Sequence, residues 1–218
     1  MKQVLYWLLL GVLVTLVGAW LRFGIIPWAS FVPAAAGTPT QKSVVALDNP
    51  EYLRQTPYDC GAYNIHHVLQ SLGNDASIDS VVEMNNRYMI PRIGVVPEVL
   101  VRTLRKNNQE AKLRAFQFMS NEERVDTIKR NLEDGPVIAL IQRHGYMHFV
   151  VLVGHSGGSV HLYDPMLPKT NDGYTLDNNG EKIGNDSLTW DEFTQLWGEV
   201  SVMGFYEYMA VMVDGKDY

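Results

Sequence analysis

A single cysteine, Cys60, serves the whole chain of 218 residues. One thiol closes no internal disulfide and builds no thiolate-rich zinc site, so Cys60 is either an inert core residue or a nucleophile. Basic residues are also scarce, with eighteen Lys and Arg against twenty-four Asp and Glu, a net charge of −6. Binding nucleic acid needs a clustered cationic face, which this balance excludes as the main role. Charged residues make up only 19% of the chain, while apolar residues reach 46%. That ratio excludes a wholly disordered chain and suits one ordinary domain.

Acidic residues are absent before Asp48, and Val4 to Leu21 contains no charge of either sign. Eighteen helical residues span about 27 Å, near the thickness of a bilayer's hydrocarbon core. Lys2 and Arg22 flank the run, and the aromatics of RFGIIPWASFVPAAAG suit a membrane interface. Ala34 to Ala36 offers small residues of the kind a signal peptidase accepts. The apolar run is, however, longer than the 7–15 residues usual in a cleaved signal. Residues 1–36 are therefore expected to be an uncleaved single-pass membrane anchor, the alternative being a cleaved signal on an exported soluble protein. Residues 37–48 read as a tether and 49–218 as the folded domain. Everything after Arg22 carries a charge of −8. Anionic headgroups repel such a surface, so the domain is expected to stand off the membrane, outside the cytoplasm.

From Cys60, apolar residues at 62, 65, 68 and 72 predict a helix closed by Gly73 and Asn74. Short helices follow over Ile78 to Asn85 and, after Pro97, over Glu98 to Asn107. Capping boxes at Ser120–Glu123 and Thr189–Glu192 predict two more helices, ending near Leu132 and Trp197. Strands are expected over Lys112 to Met119, Pro136 to Gln142, Tyr146 to Val153, Ser159 to Tyr163 and Phe205 to Val213. GHSGG, residues 154–158, reads as the turn between two of them, and the Asn/Asp-rich stretch from Thr170 to Asn185 as a polar loop or small hairpin. Helices first and an antiparallel sheet afterwards make the class α+β.

The chemistry centres on Cys60. At the start of a helix it faces unpaired backbone N–H groups and the positive end of the macrodipole, both of which favour thiolate. Asp59 opposes this, so a cation is needed, and His148 is the candidate to take the thiol proton and return it to a leaving amine. Strands 146–153 and 159–163 run antiparallel, which brings His148 beside Asp164, a residue able to orient the imidazole. Gln55 is placed to donate to an oxyanion together with the Cys60 N–H. His66 and His67 lie two turns along the helix and out of reach of the thiol. His144 and His148 are four apart, but on a strand that spacing suits no metal. His155 and His161 read as turn and surface residues. No pattern calls for a metal or cofactor.

QTPYDCGAY, GYMHFVVLVG and VHLYDPM together resemble the motifs of the bacteriocin-processing, double-glycine-type cysteine peptidases and their stand-alone relatives, a family 39-like group. The resemblance covers roughly Asn49 to Met212 and implies a papain-like fold. It also implies Cys60 as nucleophile, His148 as base and acid, Asp164 as orienting residue and Gln55 as oxyanion donor. Papain-like enzymes usually carry the glutamine six residues before the cysteine. Here it is five before, and Arg54 holds the sixth place. The exporters of this group also carry an ATPase, but G-x-x-x-x-G-K-[ST] is missing here, so their leader substrate is not carried over. The resulting expectation is a membrane-anchored or exported cysteine peptidase acting on a peptide or protein. The alternatives are a non-catalytic peptide-binding module on the same fold, and a cysteine amidase or acyltransferase acting on a cell-envelope amide.

Overall fold

The computed structural model describes residues 2–23, 30–33, 42–44, 52–91, 93–167, 174–176, 181–200 and 206–214. Helix α1 spans Lys2–Phe23, and most of its described apolar side chains are exposed: Val4 at 65%, Leu8 at 62% and Leu16 at 62%. It is thus no part of the core. Among the described residues no helix is long and apolar enough to cross a membrane, so the span expected from the sequence is not found.

Strand β1 (Ser30–Phe31) and β2 (Lys42–Val44) precede three helices: α2 (Cys60–Ser71), α3 (Ile78–Asn86) and α4 (Pro97–Lys106). Strand β3 (Ala111–Ala115) leads to α5 (Asn121–Asp134), then to β4 (Val137–Arg143), β5 (Tyr146–Ser156) and β6 (Ser159–Tyr163). A small hairpin, β7 (Tyr174–Leu176) with β8 (Glu181–Ile183), precedes β9 (Asp186–Thr189), α6 (Trp190–Gly198) and β10 (Met209–Val213). Among the described residues the main sheet runs β1-β3-β10-β4-β5-β6-β9, and β2 pairs with the end of β5. Only β1 runs parallel to its neighbour, so the α+β class stands.

Helices cover both faces. Ile138, Leu140, Phe149, Val151 and Val211 pack with Ile65, Leu69, Leu100 and Leu104 of α2 and α4. The alternate residues Ala139, Ile141, Val150, Leu152 and Met212 pack with Ile128 and Leu132 of α5 and Phe193 and Trp197 of α6. A sheet buried on both sides needs apolar residues at every position, which is why β4, β5 and β10 read as unbroken apolar runs.

Both predicted capping boxes form: Ser120 Oγ accepts from the Glu123 N–H at 3.3 Å, and Thr189 Oγ1 from the Glu192 N–H at 3.2 Å. Other boundaries differ. β3 stops at Ala115 because Phe116 is buried and its carbonyl closes a turn onto Met119 N–H at 3.1 Å. GHSGG is not a five-residue turn. A bulge between Leu152 and Gly154 lets β5 continue to Ser156, and only Gly157 and Gly158 turn the chain. That extension buries His155 fully and His161 to 7% exposure, which corrects their reading as turn and surface residues. β10 begins at Met209 rather than 205, since Tyr206 and Tyr208 take positive φ of 72° and 50° in a turn; Phe205 lies outside the described residues. Three further strands carry no clear sequence signal. β1 falls within the expected anchor segment, yet Ser30–Phe31 pairs with Arg114–Ala115; β2 falls within the expected tether, yet Lys42–Val44 pairs with Gly154–Ser156; and β9 borders β6.

Candidate active site

Helix α2 begins at Cys60, and the segment before it sets the thiol's position. Tyr58 adopts φ of 70°, a left-handed conformation that is uncommon without glycine and concentrates near functional sites. Asp59 occupies the N-cap position without capping, because its carboxylate accepts from the Thr56 hydroxyl instead. The first-turn N–H groups of α2 therefore keep no side-chain acceptor and stay available to an anion. Gly61 allows the helix to seat. A Cβ there would lie 2.6 Å from Val95 Cγ2 and 3.3 Å from Leu100 Cδ1. Gly61→Ala should consequently lower stability by about 1–3 kcal/mol through overpacking. Thermal unfolding checks this, and an unchanged melting temperature would show that Val95 yields freely.

The tight β4–β5 turn uses His144 and Gly145 with φ of 54° and 80°, and pairs Arg143 with Tyr146. His148 follows, buried at 2% exposure. Its Nε2 lies 2.7 Å from Asp164 Oδ1, which leaves Nδ1 as its other ring nitrogen, and the residue lines the same cleft as Cys60. Asp164 directly follows β6 and is fully buried. Its Oδ1 also accepts from the Met166 N–H at 2.8 Å, and its Oδ2 from Arg143 Nη1 at 2.8 Å. Gln55 joins the group through its backbone, with its N–H donating to the Pro165 carbonyl at 2.8 Å. Its amide oxygen is buried without a partner. Arg54, at the place where papain-like enzymes carry the glutamine, is exposed.

All four residues singled out in the sequence border one region. Gln55, Cys60 and His148 line a cleft of about 380 Å³, with Asp164 directly behind the imidazole. Tyr58, Ile93, Tyr146, Met147 and Met166 complete an apolar wall. These wall residues have no distinguishing signal in the sequence. Sequence reasoning misses Asn64 too, although a polar residue one turn after Cys60 on the apolar helix is a usable sign. Its Nδ2 donates to the carbonyls of Cys60 at 2.9 Å and Phe149 at 2.6 Å, tying the cysteine helix to the strand that carries His148.

Burial alone would lower the basicity of His148. The Asp164 and Cys60 hydrogen bonds and charges outweigh it and push the imidazole from its ordinary 6.5 up to about 9. Burial likewise would raise Asp164, but His148, the Met166 N–H and Arg143 hold it below its ordinary value. The signs set a pH window. A proton held more tightly in the folded state stabilises the fold fully below about pH 6.5, and that contribution fades as pH rises through about 9. The Asp164 contribution is present above pH 3.8 and disappears as pH falls through its depressed value. The melting temperature should decline between pH 6.5 and 9 in the wild type and more weakly in His148→Ala. Parallel curves for the two proteins would contradict the assignment of that proton to His148.

Residues 50–203 match the peptidase C39 family. No curated protein matches the chain. Among solved structures, a double glycine motif protease from an AMS/PCAT transporter, in complex with its leader peptide, is similar at 17% identity and a TM-score of 0.54. It covers 82% of this chain and 99% of its own. A putative C39-like peptidase from Bacillus anthracis is similar at 16% identity and a TM-score of 0.53, with the same coverage. The peptidase domain of Streptococcus ComA, a bi-functional ABC transporter, reaches 14% identity and a TM-score of 0.51, covering 76% and 98%. At such identities the likeness of the structures is one of fold.

Proposed function

The chain belongs to the peptidase C39 family and is a cysteine peptidase, and from that premise we propose that it cleaves peptides by acyl transfer to Cys60. His148 takes the thiol proton, and the thiolate attacks the scissile carbonyl carbon. The oxyanion is received by the Cys60 N–H and Gln55. Collapse of that intermediate breaks the C–N bond while the imidazolium protonates the leaving amine. Water, deprotonated by His148, then hydrolyses the thioester and restores the thiol. Asp164 keeps the imidazole turned towards Cys60 and favours its charged form. The observation that carries this reading is His148 bound to Asp164 Oδ1, at 2.7 Å, on the cleft that Cys60 and Gln55 also line.

A peptide substrate is supported by the open apolar cleft beside Cys60, and by the leader peptide bound in one structure of the same fold. An electrophilic peptide probe should add its mass at Cys60 in the wild type and far more slowly in His148→Ala. Binding without a mass shift would favour the non-catalytic module. Reaction with non-peptide amides alone would favour the amidase or acyltransferase.

Membrane contact through α1, with the domain at 49–218 outside the cytoplasm, belongs to the same proposal. Its support is the solvent-facing apolar surface of α1. Removing residues 1–23 should move the protein from the membrane fraction to the soluble one with its circular dichroism intact. Retention of the shortened chain in membranes would refute the anchor. In intact cells a membrane-impermeant maleimide should label Cys60, and protection until lysis would place the domain inside.

A further inference from the structure

The backbone at Asp164 is clamped. Its N–H donates to Asn185 Oδ1 at 2.7 Å, and its carbonyl accepts from Asn185 Nδ2 at 3.0 Å. Those bonds fix the backbone and not the carboxyl group. His148 and the Met166 N–H occupy Oδ1, so the orientation of the group is decided by what holds Oδ2. That partner is Arg143 Nη1, at 2.8 Å. Asp164 is fully buried, and Oδ2 without a donor would be an uncompensated buried charge. Arg143 is only 18% exposed, and Asp186 on β9 pairs with the same Nη1. A permanently charged guanidinium is thus fixed between two carboxylates, one just after β6 and one on β9.

We propose that Arg143 is a positioning residue of the peptidase: braced by Asp186, it holds the Asp164 carboxylate ionised and in the rotamer that His148 requires. The proposal rests on the roles given above to Cys60, His148 and Asp164. The ionisable groups acting on Asp164 are His148, Arg143 and the Tyr163 phenol. Those acting on Arg143 are Asp164, Asp186 and, from α6, Glu192. Arg143 is therefore the permanent cation of this group, and removing it should let Asp164 take up a proton at higher pH.

The test follows the rate of Cys60 alkylation by iodoacetamide against pH in the full chain. Arg143→Gln should move the acid limb upward by about one pH unit and slow the neutral-pH reaction by about 3- to 10-fold. Arg143→Lys keeps the charge but lacks the planar fork. It should restore the acid limb and leave only a loss of about 3-fold. A purely structural arginine would change the melting temperature in both variants and leave the limb where it was, and that result overturns the proposal. Should Arg143→Gln not fold, Arg143→Lys decides: a full wild-type rate would show that the bridge is not used. His148→Ala separates the two levels. If wild type reacts no faster than His148→Ala, the underlying assignment fails. If it reacts faster and the Arg143→Gln limb is unmoved, only the role of Arg143 fails.

Discussion

His148→Ala should slow peptide cleavage by about 10²–10⁴-fold, the range that a general base contributes. The same change should remove most of the reactivity of Cys60 towards iodoacetamide at neutral pH. Two features of the site make the expected effect large. The imidazole is buried at 2% exposure, so no water readily replaces it as base. It is also held protonated up to about pH 9 by Asp164 and Cys60, and its removal takes away the cation beside the thiol. Cys60→Ala should abolish cleavage outright, since no other thiol exists in the chain. Cleavage by His148→Ala within a few-fold of wild type would mean that His148 is structural.

Asp164→Asn should cost about 10- to 100-fold in acylation with little change in KM, because the charge that favours imidazolium is lost while one acceptor oxygen remains. The loss should be smaller than for His148→Ala, since papain-like enzymes can use asparagine at this position. Asparagine has one acceptor oxygen for two sets of donors. Facing His148 and the Met166 N–H, it must turn its NH₂ towards Arg143, which then keeps only Asp186. Some stability is therefore lost as well, about 1–3 kcal/mol. Adding Asp164→Asn to His148→Ala should lower activity little beyond His148→Ala alone, as expected of residues acting as one unit. Additive losses in that cycle would make Asp164 a turn residue before Pro165 and nothing more.

Much of this site is legible in the amino-acid sequence, because its parts obey local rules. Ser120 and Thr189 cap helices through hydroxyls that accept from N–H groups three residues on. The glycine pair 157–158 turns β5 into β6, and antiparallel pairing alone then sets His148 beside Asp164. The apolar runs of β4, β5 and β10 mark strands buried on both faces. The extent of β5 is less legible, since Gly154-His155-Ser156 looks like a turn until a bulge and the pairing of β2 carry it onward.

The residue types at 55, 60, 148 and 164, and the hairpin joining the last two, were set by the sequence alone. Their chemistry is intrinsic, and their pairing spans few residues. Tertiary structure decided the contacts between elements that do not follow one another in the chain. Asn64 bonds the carbonyl of Phe149, Arg143 reaches the far oxygen of Asp164 while Asp186 holds it, and Asn185 clamps the same residue from a stretch that looks like plain loop. None of these contacts follows a helical or strand period. Each exists because burying a charge or a polar group in the packed core requires a partner, and the fold alone determines which residue is close enough to supply it.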